Sequence, residues 1–74
     1  MNKDIFKGRF QQLVGGLKQK WANLTEDDWT HISGDKDKLV GKIQERYGLA
    51  KDQAARQVNE YFDNLEKENQ RKVS

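Results

Sequence analysis

Chemistry would have to start from His31, from the acidic run Glu26-Asp27-Asp28, or from the basic residues of the first quarter of the chain. A catalytic centre needs a nucleophile, a base and a group to orient them. His31 is the only histidine and there is no cysteine, so no Cys–His or His–His arrangement can be assembled. A zinc site would need more imidazole or thiolate ligands than this. The acidic run lacks the alternating oxygen ligands and central glycine of a calcium loop. It reads instead as the negatively charged first turn of a helix. Gly15-Gly16 is no phosphate loop, because no strand precedes it and no Lys-Ser/Thr follows. The expectation is a non-enzymatic chain with no metal and no cofactor.

Binding chemistry is the other possibility. Lys7, Arg9, Lys18 and Lys20 are interleaved with Phe10 and Trp21, a mixture that phosphates and bases could recognise. Residues 1–24 carry five basic residues against Asp4, whereas residues 25–35 carry only acids: Glu26, Asp27, Asp28 and Asp35. The basic segment can therefore meet a nucleic acid or the acidic segment of its own chain. The second reading is preferred, because the charge density is low for a nucleic-acid binder and the aromatics fall on a stripe that a core would take.

The elements that position these residues are helices. Phe6, Phe10, Leu13, Leu17, Trp21 and Leu24 step by three or four and predict a first helix of about five turns. Asn2 or Asp4 can cap it, and Gly8, Gly15 and Gly16 weaken it. Thr25 caps a short second helix that carries Trp29 and Ile32 and ends at Gly34. Gly34–Leu49 predicts a third, with Leu39, Val40, Ile43 and Tyr47 on one face. Asp35 and Asp37 lie in its first turn, Arg46 in its last, and Gly48 is its stop. A fourth, starting near Lys51, has a stripe of Ala54, Val58, Tyr61, Phe62 and Leu65.

The chain partly matches itself at a shift of 26 residues. Gly8 meets Gly34, Leu13-Val14-Gly15 meets Leu39-Val40-Gly41, Leu17 meets Ile43, and Trp21 meets Tyr47. This suggests two related helical hairpins. It leaves small residues seven apart, of which Gly34 and Gly48 end helices. Gly15 and Gly41 have no such reason. They are candidates for a close partner contact or for deliberately weak helicity.

With 74 residues the chain makes one domain, expected over 1–65, with a polar, frayed tail over 66–74. The net charge is +2 and proline is absent. No signal-peptide run and no apolar span of membrane length is seen, so a cytoplasmic protein, expected to be a monomer, is the default. Asn23-Leu24-Thr25 matches a glycosylation pattern by chance in such a protein. The fold expected is all-α, a small bundle of about four helices. Its core should hold Phe6, Phe10, Leu13, Leu17, Trp21, Trp29, Ile32, Leu39, Val40, Ile43, Tyr47, Leu49, Val58, Tyr61, Phe62 and Leu65, and its stability should be low.

The run Leu39-Val40-Gly41-Lys42-Ile43-Gln44-Glu45-Arg46-Tyr47-Gly48, followed by Lys51-Asp52-Gln53-Ala54, resembles the CsbD-like family of small bacterial proteins. So does Lys20-Trp21-x-x-Leu24-Thr25-x-Asp27-Asp28. The likeness covers roughly residues 1–62. Ala22 stands where members commonly carry glycine after the first-helix aromatic. The resemblance implies a short, hydrophilic, cytosolic, helical protein of the general stress response. It brings no catalytic residues. The function expected is a non-enzymatic stress protein that protects or binds other macromolecules, with other proteins or nucleic acid as partners. The alternative is a small nucleic-acid-binding module using the first helix through Lys7, Arg9, Lys18 and Lys20.

Overall fold

The computed structural model describes residues 3–73, and the side chains of residues 4–65. Four α-helices follow one another: α1 (Lys3–Lys20), α2 (Glu26–Ile32), α3 (Lys36–Tyr47) and α4 (Lys51–Val73). The closest backbone approaches between helices among the described residues all involve α3, which packs most extensively against α4, then α2, then α1. The expected all-α bundle is what forms. Asn2, one of the two expected caps of α1, lies outside the described residues, as do the side chains of the tail expected over 66–74.

The helix ends are written in local chemistry. Thr25 accepts from the Asp28 amide at 3.1 Å while the Asp28 carboxylate accepts from the Thr25 amide at 2.9 Å, a complete capping box. Asp35 caps α3 by accepting from the amides of Asp37 and Lys38. Gly48 sits at φ 66, and the Leu49 amide reaches back to the Gln44 carbonyl at 3.3 Å, a Schellman-type stop.

Three local expectations are corrected. The first helix ends at Lys20, and Trp21 and Leu24 continue its stripe from a turn tied by Trp21 N–H to Leu17 and Leu24 N–H to Trp21. The second helix is closed by Ser33, left-handed at φ 46, with Gly34 following at φ 81. Gly34 is buried, and a Cβ there would come within 2.9 Å of Lys7 Cγ, so α1 crosses where only glycine fits. Asp35 stands outside α3 as its cap and not in its first turn.

The core is a single cluster of Phe6, Phe10, Leu17, Trp21, Leu24, Trp29, Ile32, Leu39, Val40, Ile43, Ala54, Val58 and Phe62. Leu24 and Ala54 join it from the apolar stripes. Leu13, Leu49 and Tyr61 are half-buried against it, and Leu65 is half-buried. An aromatic path runs Trp29–Phe10–Phe6–Phe62–Tyr61–Trp21, with ring centroids 5.2–6.2 Å apart and tilted or edge-on. Such pairs each add about 0.5–1.5 kcal/mol beyond area burial. Tyr47 is the core residue that the periodicity misplaces. It is 37% exposed, because its hydroxyl accepts from the Asn23 amide at 3.2 Å and so holds the ring over the turn after α1.

Candidate functional site

Asp28 is the buried charged residue among the described ones, 3% exposed. Its capping role places it at the start of α2, facing the last turn of α3. Arg46 grips it with two parallel bonds, Nε to Oδ2 at 2.8 Å and Nη2 to Oδ1 at 3.0 Å. Lys42, one turn earlier on α3, brings its Nζ to 3.5 Å from Oδ1. With the Thr25 amide, three hydrogen-bond donors converge on one carboxylate, and the Lys42 ammonium adds an ion pair beside Oδ1. The Arg46 hydrogen bonds and then the Thr25 amide hold the Asp28 carboxyl well below the usual carboxylate range, against the opposing effect of burial. The same bonds raise Arg46 above its ordinary value. The cluster is therefore an ion-pair clamp between α2 and α3, charged at neutral pH. Both carboxylate oxygens are thus engaged within the fold.

Asp28 and Arg46 were both legible as helix-terminal charges, and each has a local explanation that hides the pair. The usable signal was Thr-x-x-Asp, a capping box whose acid still has lone pairs to satisfy, followed by an arginine at the end of the next helix.

The basic residues of α1 do not form one face. At about 100° per residue, Lys7 and Lys18 fall on one flank of the apolar stripe, and Arg9 and Lys20 on the other. Lys18 pairs with Glu26 of α2 at 3.2 Å, the contact with the chain's own acidic segment that the charge pattern suggested. Lys7 is exposed and its stem passes over Gly34, and Arg9 is half-buried. Lys20 borders a groove of about 230 Å³ with Gln57, Glu60, Tyr61 and Asn64. Gln57 is already engaged there, accepting from Trp21 Nε1 at 3.3 Å. Gly15 and Gly41 are exposed, and a Cβ at either would meet nothing within 4 Å. Gly16 behaves differently, because a Cβ there would come within 2.5 Å of the Tyr61 hydroxyl.

His31 is exposed at the end of α2. Among the described residues no group of three or more His, Cys, Asp or Glu side chains could hold a metal ion. No helix among them is long and apolar enough to cross a membrane.

The family model for CsbD-like proteins matches residues 4–56. A UPF0337 protein of Pseudomonas aeruginosa is 45% identical over 65 residues, covering 88% of this chain and all of that one. A UPF0337 protein of Bordetella pertussis is 49% identical over 63 residues, 85% of this chain and 96% of the relative. The UPF0337 protein YjbJ of Escherichia coli K12 is 55% identical over 58 residues, 78% and 84% of the two chains. No solved structure matches. The chain belongs to the CsbD-like family, a family of the bacterial general stress response.

Proposed function

We propose that this member of the CsbD-like family is a non-enzymatic, cytoplasmic stress protein that acts as a monomer by protecting or binding other macromolecules. The observation that supports the reading best is the Asp28 carboxylate. It is the buried ionisable group of the described chain, hydrogen-bonded by Arg46 and Thr25 and flanked by the Lys42 ammonium. A general base must offer an accepting position to a substrate proton, whereas both oxygens of this carboxylate are already bonded to Arg46 and Thr25. The highly polar composition, with 35% of the chain charged, suits a protein that stays dispersed in crowded or drying cells.

The test is survival of a deletion strain under osmotic, drying and stationary-phase stress. Reduced survival in at least one, restored by the wild-type gene, is the expected result. Unchanged survival together with unchanged expression in all three removes the proposal.

The nucleic-acid reading stands second. It rests on Lys7, Arg9, Lys18 and Lys20 as phosphate contacts, while Gly15 and Gly41 are proposed points of close approach for a partner of either kind. The two-flank spacing of the cations and the Lys18–Glu26 pair weigh against it. It requires a gel shift at low salt that weakens when these cations are replaced.

A further inference from the structure

We infer that the first part of α1, up to the adjacent pair Gly15-Gly16, is a flap that opens from the bundle as a unit while the rest of the chain stays folded. Adjacent glycines in a helix interior put the two most conformationally free residues in succession, and such pairs are recurrent hinge and kink points. Gly16 has a packing reason, the seat of the Tyr61 hydroxyl, but Gly15 and Gly8 have none. Each stands in open space where alanine would strengthen the helix. The weakness of this segment therefore does not come from a steric requirement.

The two sides of the hinge are held differently. Beyond it, Leu17 is fully buried, and Trp21 is buried, bonded to Gln57 and packed on Tyr61. Lys18 reaches Glu26 there. Before it, Phe6 and Phe10 enter the core and the Lys7 stem crosses Gly34, but the turn leading to the hinge, Leu13 and Val14, is only half-buried. Opening the flap breaks the Phe6–Phe62 and Phe10–Trp29 contacts and the crossing of Lys7 over Gly34, and leaves Trp21–Tyr61 in place. The movable element thus carries the Phe10–Phe6 segment that joins Trp29 to Phe62, and opening it bares the aromatic faces of α2 and α4. Low local stability of this kind is how a folded domain keeps one element mobile.

Native-state hydrogen exchange on the full chain in low urea tests it. The amides of Phe10 to Val14 should share one opening reaction, with protection at least about tenfold below that of the Trp21 amide and of the α3 amides Val40 to Ile43. Their urea dependence should be smaller than that of global unfolding. Gly15→Ala should raise protection of the flap about fivefold, the equivalent of the roughly 1 kcal/mol helix cost of an exposed glycine. Equal protection on both sides of the hinge overturns the inference. So does a smooth gradient from the chain end without a step between Val14 and Trp21, which is simple end fraying. An unchanged flap in Gly15→Ala overturns it as well.

Discussion

α1 and α3 carry related sequences and occupy different positions in the energetics of the fold. Leu17 and Ile43 match in the repeat and are both fully buried. Around that shared point the two helices diverge. Leu39 and Val40 are buried where Leu13 and Val14 are half-buried. Gly34 is a left-handed turn residue where Gly8 lies inside a helix. Trp21 is 2% exposed, whereas Tyr47 is 37% exposed. α3 has a side-chain cap at its start, a glycine stop at its end and an arginine clamped to α2. The lesson is that an apolar period places a helix against a core but does not say how firmly it is held. Firmness comes from the ends and from cross-chain polar contacts, and here those favour α3.

The comparison can be broken most forcefully at its aromatic pair. Trp21→Ala should cost about 3–5 kcal/mol, the range for removing a large buried aromatic. Tyr47→Ala, at the matching position, should cost about 1 kcal/mol, mainly the lost hydrogen bond to Asn23. Urea unfolding followed by circular dichroism reads both. Equal costs would mean that the two helices are equivalent after all.

The clamp gives the next largest effect and a pH signature. Because the folded-state pKa of Asp28 is depressed, its stabilisation is fully present above the ordinary carboxylate value of about 3.9 and is lost as pH falls below that. Tm should therefore fall on acidification below about pH 4. Asp28→Asn should lower Tm at neutral pH and flatten that acid dependence. An undiminished acid dependence in this variant would place the sensitivity elsewhere.

The glycines sharpen the contrast on a smaller scale. Gly15→Ala and Gly41→Ala should each stabilise by about 0.5–1 kcal/mol, since both stand in open helix. Gly16→Ala should fail to show this gain, because the new methyl must displace the Tyr61 hydroxyl. Gly48→Ala should cost about 1 kcal/mol for its left-handed backbone. Chemical denaturation of the four variants, compared side by side, ranks them.

Lys18→Ala should change least. Its pair with Glu26 is solvent-exposed, so about 0.5 kcal/mol or less is expected, and less again at high salt. A larger loss would make this contact, and not Trp21, the anchor of the end of α1.

These contrasts also show what the bare sequence discloses. The helices, the Thr25 cap, the Gly48 stop and most of the core follow from periodicity and from residues with a local job. Tyr47 defeats the periodicity, because its hydroxyl has a backbone partner on another element. The Asp28–Arg46 pair spans 18 positions, and each member already satisfies a local rule, so nothing local demands the other. Gly16 and Gly15 look alike in sequence. Only the position of the Tyr61 hydroxyl, 45 residues downstream, separates them. What is hidden in each case is a contact between distant residues that leaves no periodic trace.

The most direct measurement is amide exchange at matched positions of the two helices, Leu13 and Val14 against Leu39 and Val40. The α3 pair should exchange only through global unfolding, with the free energy found by denaturation. The α1 pair should exchange at a clearly lower free energy. Equal values for the two pairs, or better protection in α1, would contradict the assignment of α3 as the helix that holds the fold together.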